Sequence, residues 1–159
     1  LVLAIDPGHG RRVGEFEKLV TSRNRLLEEN GDRGVLDAVE AQLSERAVAV
    51  SLARSETVSL LQTVLQEGSL AEGDFPVAGI AISGAFEKGI AGKPASEAEN
   101  SFASALCEAR YRDRAARRTL DGPHRSDLEV TFSEKAMPAA LSSTGEQNAL
   151  LTGLVLVHA

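Results

Sequence analysis

The chain of 159 residues contains no tryptophan, one tyrosine and one methionine, and aromatic residues make up only 4% of it. Its core has to be assembled from Leu, Val, Ile and Ala, with five phenylalanines supplying nearly all the rings. A single cysteine, Cys107, excludes an internal disulfide framework and fits a reducing compartment, the cytoplasm. No apolar run approaches the ~20 residues of a transmembrane helix, so no membrane partner is expected. Residues 1–5 are too short for a secretory signal core and lack a charged lead-in. Positive charge is not in excess either. A net charge of −6 argues against indiscriminate nucleic-acid binding, while leaving room for a local basic face. The chain does not begin with Met, as expected of a fragment or a processed product.

What is present is a globular composition, 43% hydrophobic and 25% charged, long enough for one domain or a small domain plus part of another. Val13, Phe16, Leu19, Val20, Leu26 and Leu27 recur at helical spacing and predict a first helix ending near Glu29. Asn30-Gly31-Asp32 reads as its stop, with Gly31 suited to a left-handed helix end. Leu36, Val39, Leu43, Ala47, Val50, Thr57, Leu61 and Val64 follow at close to a 3.5-residue repeat, a coiled-coil-like stripe. Glu40, Glu45, Arg46, Arg54 and Glu56 are expected to face water. The two helices form an antiparallel hairpin, an arm rather than an enzyme core. Residues 68–76 read as a loop, 77–86 as a strand and 89–94 as a flexible connection. Gly92-Lys93 is not a phosphate loop, because Glu87 and Pro94 stand where the motif needs Gly and Ser/Thr. Ser96 opens a third helix with Glu99 closing a capping box, and Phe102, Leu106 and Ala109 form its buried side.

Three stretches carry candidate chemistry. The opening apolar run of residues 1–5, leading into Asp6-Pro7-Gly8-His9-Gly10, resembles the first strand of the zinc N-acetylmuramoyl-L-alanine amidases, in which the histidine after that strand is a zinc ligand. Such a site needs a further Glu and a further His on a mixed sheet. Glu15 or Glu17 is available, but the next histidine is His124, and a helical arm follows. His9 therefore reads as a loop histidine, with no metal. In the second stretch, Ser143 and Glu146 form a capping box before an apolar helix over 149–159. It is either a well-capped helix or an anion site, where hydroxyl, Gly145 amide and helix dipole converge. The third is arginine-rich. Within residues 110–125, six arginines stand against Asp113 and Asp121, a local excess of four positive charges. On a continuous helix Arg110, Arg114, Arg117 and Arg118 share one side, where they could line a phosphate backbone, and Arg125 follows. A solvated face paired with acidic neighbours, including an Arg125 salt bridge to Asp121 or Asp127, is the competing reading.

Gly122-Pro123-His124-Arg125-Ser126-Asp127-Leu128, a strand over 128–132, then Ser143-Thr144-Gly145-Glu146-Gln147 together resemble the C-terminal half of the RecF family. These are bacterial recombination-mediator and DNA-repair ATPases related to SMC-type heads. The likeness extends to Arg23-Asn24-Arg25-Leu26-Leu27 and to Leu36-Asp37-Ala38-Val39-Glu40-Ala41-Gln42-Leu43. The resemblance implies an α+β chain: a helical-hairpin arm plus part of an ABC-type ATPase lobe. The arm, with a small strand region, would take residues 1–118 and the lobe segment 119–159. It implies that Ser143, Thr144, Gly145, Glu146 and Gln147 are a signature motif, reaching across a dimer to the γ-phosphate on the other subunit. Asn148 stands where these proteins often carry lysine. It further implies DNA contact by Arg110, Arg114, Arg117, Arg118 and Arg125, and a possible interface position for His124. Gapped or double-stranded DNA, an ATP-dependent homodimer and the mediator proteins RecR and RecO are the expected partners. ATP and Mg belong to the full-length dimer; no Walker A loop or Walker B strand is present in the 159 residues, so none is expected for the fragment, which should be inactive alone. A helical protein-interaction module without a nucleotide role is the alternative.

Overall fold

The computed structural model describes residues 6–70 and 76–156. The expected opening strand, the middle of the 68–76 loop and the last residues of the final helix lie outside them. The chain divides by packing into two compact units, one gathering residues 6–53 and 84–126, the other 54–83 and 127–156. The elements are α1 (His9–Glu28), α2 (Arg33–Leu70), β1 (Ala78–Ser83), α3 (Ala85–Ile90), α4 (Ala95–Ala116), a 3₁₀ turn (Pro123–Arg125), β2 (Asp127–Phe132), a second 3₁₀ turn (Ser133–Lys135), β3 (Met137–Pro138), a third (Ala139–Leu141) and α5 (Thr144–Leu156).

In the helical unit, Asp6 organises the entry to α1. Its carboxylate accepts the Gly8 N–H at 3.0 Å and pairs with Arg12, while its carbonyl accepts the His9 N–H at 3.0 Å. The left-handed residue that ends α1 is Asn30 (φ 53°), not Gly31. Gly31 is needed for a different reason. Its N–H closes on the Leu26 carbonyl at 2.7 Å, so close that a Cβ would stand 2.8 Å from a Leu26 methyl. Asp32 then caps α2, accepting the Gly34 and Val35 amides at 2.8 and 3.1 Å. The hairpin is antiparallel, as the Arg23–Glu40 and Glu15–Arg46 pairs show by their descending register. Its packing is broader than a coiled-coil seam. Leu36, Glu40, Leu43, Ser44, Ala47, Val48, Val50 and Ser51 are all buried, a wide face at 3.6-residue spacing. That face meets Phe16, Phe86, Ala98, Phe102 and Leu106 in one core.

Several expected elements differ, the first being the 68–76 loop, into which α2 continues as far as Leu70. The strand stops at Ser83, and Phe86 instead enters the helical core from α3, tilted against Phe102 at 4.6 Å between centroids. Burial of Phe86 in a second core outweighs the alternation that reads as strand. Residues 89–94 accordingly contain the end of α3 rather than being wholly loop. Pro94, not Ser96, occupies the N-cap of α4, and no side chain caps that helix. Proline pre-sets the backbone there without a cap, so the Ser96–Glu99 box does not form.

Glu40 does not face water, being 2% exposed, because it belongs to a buried charge network. Arg23, 0% exposed, donates to Glu40 at 2.9 Å, to Asp113 at 2.7 Å, to the Thr119 hydroxyl at 2.9 Å and to the Leu106 carbonyl at 2.7 Å. Arg110 closes on Glu40 at 2.5 Å and on Asp37 at 2.5 Å. Asn24 accepts both the Thr119 amide and its hydroxyl at 2.8 Å. The network ties α1, α2, α4 and the segment after α4 to one side chain.

The sheet unit has strand order β1-β2-β3, all antiparallel, with Ala78 opposite Phe132 and Ser83 opposite Asp127. Ala78, Ile80 and Phe132 pack with Leu61 and Leu65 of α2 and with Leu150 and Leu154 of α5. Leu65 is the buried position at this end of α2, whereas Val64 is 43% exposed, as expected once the repeat is 3.6 rather than 3.5. The Gln62 side chain accepts the Ile80 N–H at 2.8 Å, satisfying a donor that the ladder leaves outside.

Removing Arg23 leaves Glu40 and Asp113 buried with fewer partners, a change that costs about 3–5 kcal/mol for a broken buried pair. Arg23→Met should therefore lower the urea midpoint by that equivalent. Arg23→Lys should recover little, since a compact ammonium cannot reach four acceptors at once. A midpoint for Arg23→Met close to wild type would contradict a structural role for the network.

Candidate nucleotide and nucleic-acid sites

The expected signature forms the N-terminus of α5. Thr144 and Gly145 begin the helix, and Ser143 stands just before it. The capping box is made in full. The Ser143 amide and hydroxyl both donate to Glu146 Oε2 at 2.9 Å, and the Glu146 amide points back at Ser143 Oγ at 3.4 Å. Gln147 turns toward the preceding loop, donating to the Ser142 and Ala140 carbonyls at 3.0 and 3.3 Å. Lys135, whose ammonium also lies 5.3 Å from the Phe132 ring centre, pairs with the other Glu146 oxygen. The Lys135 contact, then the Ser143 amide and hydroxyl, push the Glu146 carboxyl down to about 2 from 4.5. The helix N-terminus is thus an anion site that already holds an anion, the Glu146 carboxylate. An incoming phosphate would have to take over the Ser143 donors. Lys135 is a residue the sequence reading missed, since nothing marks it except its neighbour in space. Asn148 faces solvent, and its carbonyl accepts the Thr152 hydroxyl at 2.8 Å.

The arginine cluster does not form the single helical face expected of it. Helix α4 ends at Ala116, and Arg117 takes the left-handed conformation at φ 54°. The i+7 and i+8 spacing therefore carries no meaning for Arg117 and Arg118. Their amides satisfy the helix end instead, on the Arg114 and Asp113 carbonyls at 3.1 Å. Arg110 is committed to Glu40 and Asp37, and the Glu40 bond holds its guanidinium strongly protonated. Arg112 is held by Asp121 and Asp113. What remains exposed is Arg114, Arg117 and Arg118, the first two lining a concavity with Glu28. Arg125 takes neither expected salt bridge. Asp121 belongs to Arg112, and Asp127 accepts the neighbouring Leu128 amide at 2.8 Å.

The Pro123–Arg125 turn is set by Gly122, buried and at φ 136°, a backbone conformation that favours glycine. His124 reaches the Thr119 carbonyl at 3.1 Å and stands 5.7 Å from the Phe16 ring, which gives it a structural contact. His9, expected in a loop, is instead the first residue of α1 and is 6% exposed. Glu15 pairs with Arg46 at 3.1 Å and with Arg11. Among the described residues, the potential metal-ligand atoms of Asp37, Glu40 and Cys107 lie within 4.8 Å of one another. The Arg110 guanidinium sits on both carboxylates, so the positive charge is supplied by the protein.

No family model matches the chain. The chain is 51% identical over its whole length to the DNA replication and repair protein RecF of Mesorhizobium japonicum. It is 49% identical to that of Brucella abortus and 48% to that of Rhizobium etli, again over its whole length. It spans about two-fifths of the length of these curated relatives. In fold it matches a solved structure of the recombination mediator protein RecF-ATP in the RecFOR pathway, with a TM-score of 0.79 at 18% identity. That match covers 99% of this chain and 43% of the other, and the RecF-ATPrS structure gives the same score. The amidase likeness of Asp6–Gly10 finds no support in these relatives.

The depressed Glu146 carboxyl implies a pH signature. Its contact contributes above the ordinary value of 4.5 and is lost as pH falls through about 2. Carbon-detected NMR titration should show Glu146 titrating near 2, and Lys135→Ala should move it back toward 4.5. A wild-type midpoint already near 4.5 would remove Lys135 from the site.

Proposed function

We propose, from the premise that this chain belongs to the RecF family, that it forms the helical arm and signature segment of a DNA-repair ATP-binding protein acting at single-strand gaps. The observation that carries the reading is the α5 N-terminus. Ser143, Thr144, Gly145, Glu146 and Gln147 make a pre-formed anion site, in a chain 51% identical to a RecF along its length. That terminus would meet the γ-phosphate, with its Mg, held by the second subunit of an ATP-dependent homodimer. RecO and RecR are the mediator partners of this reading, and the cytoplasm is its compartment. No helix among the described residues is long and apolar enough to cross a membrane. Functionally the arm would comprise residues 1–118 and the ATPase segment 119–159.

The DNA surface is narrower than the sequence implies. Arg114, Arg117 and Arg118 supply phosphate contacts, while Arg110 is structural. Affinity should fall with salt at a slope near −0.9 per phosphate neutralised on duplex DNA, so roughly −3 for three contacts. Charge reversal at Arg114, Arg117 and Arg118 should abolish most binding and flatten that slope. Unchanged binding in the triple variant would show the cluster to be a solvated face.

For nucleotide, the isolated chain should neither hydrolyse ATP nor hold it tightly. One helix N-terminus gives about 0.3–1 kcal/mol to an exposed anion, against the roughly 8 kcal/mol of micromolar binding. In a full-length family protein carrying this segment, Ser143→Arg should leave ATP binding to the subunit's own Walker loop intact and block ATP-dependent dimerisation. Calorimetry and sizing with a slowly hydrolysed analogue read both. Loss of binding in the monomer would contradict the assignment.

A further inference from the structure

The Pro123–Arg125 turn borders a feature that neither ATP nor DNA accounts for. A groove of about 540 Å³ opens on the helical unit, bounded by α3, α4 and residues 120–122. Its size falls within the range of about 300–1,000 Å³ typical of ligand sites. Phe86, Ile90 and Phe102 floor it, and Lys93 and Arg125 stand at its lining. Both cations are exposed, and neither forms an ion pair among the described residues. The lining carboxylate, Asp121, is already neutralised by Arg112. Positive charge beside an apolar floor is therefore uncompensated. Phe86 and Phe102 are 9% and 6% exposed and turned against each other, so neither offers a ring face on which a nucleobase could stack. The floor instead suits an aliphatic side chain.

We propose that this groove docks an acidic peptide segment of a partner protein. An apolar side chain of that segment lies over Ile90 and Phe102, and its flanking carboxylates meet Lys93 and Arg125. Gly122 fixes the turn that presents Arg125 at the rim, which gives the Gly-Pro-His-Arg stretch a task in recognition. The inference does not depend on the ATP or DNA assignments.

The test uses the 159-residue chain and a fluorescein-labelled peptide of two leucines flanked by glutamates, with a lysine-flanked version as control. Anisotropy should show the acidic peptide binding at least tenfold more tightly than the lysine version. Lys93→Glu with Arg125→Glu should reverse that preference, and Ala105→Trp, which fills the groove from α4, should abolish binding of both. Circular dichroism checks that these exposed substitutions leave the fold intact. No binding of the acidic peptide, or binding unaffected by the double reversal, overturns the proposal. So does a short single-stranded oligonucleotide that binds in the peptide's place and is lost in Ala105→Trp.

Discussion

The helical unit depends on one buried guanidinium. Arg23 has no exposed surface, and its donors are divided among Glu40, Asp113, Thr119 and the Leu106 carbonyl. A charge taken out of water is tolerable only when every donor finds an acceptor in good geometry. Four segments of chain must therefore arrive at one point together. The cost of an imperfect arrival gives the unit its specificity, while the surrounding leucines and phenylalanines supply the bulk of the burial. Arg110 extends the network by balancing Glu40 and Asp37.

The same logic separates the arginines into two populations. Arg23, Arg110 and Arg112 are absorbed by Glu40, Asp37, Asp113 and Asp121. Arg114, Arg117 and Arg118 are left for solvent or ligand, with Arg125 set apart at the groove. A small basic surface remains because the carboxylates around it are paired with Arg23, Arg110 and Arg112. At the other unit, Glu146 plays the opposite part. It is a half-buried carboxylate that fills a helix N-terminus, with Lys135 balancing it. The Ser143 donors there are taken by this internal anion.

Much of the architecture was legible. The Asn30-Gly31-Asp32 punctuation marks the hairpin, and Ser143 with Glu146 marks the start of α5, because both are local and need no distant partner. The strand at 128–132 appears one residue longer, as β2. What was hidden depends on contacts distant in sequence. Glu40 sits on an ordinary polar step of α2 and is buried only because Arg23 and Arg110 come to meet it. Phe86 ends an alternating run yet leaves the sheet for another core. Arg23 did leave a trace. It lies seven residues after Phe16 and four before Leu27, on the buried stripe of α1, and a charge on such a stripe asks for partners. The resemblance to RecF proteins pointed to Ser143–Gln147 as a signature, while the structure shows which arginines are already paired.

In the proposed function, the α5 terminus serves nucleotide bound by another subunit. Subunit mixing tests it most directly, in full-length RecF-type chains carrying this segment. One chain is disabled in its Walker loop and the other by Ser143→Arg, so that neither forms ATP-dependent dimers alone. If the signature acts in trans, the mixed dimer contains one composite site with both halves intact. ATP-dependent dimerisation and slow hydrolysis should then return on mixing. If mixing restores neither, Ser143 acts on its own subunit's nucleotide or on none, and the trans assignment fails.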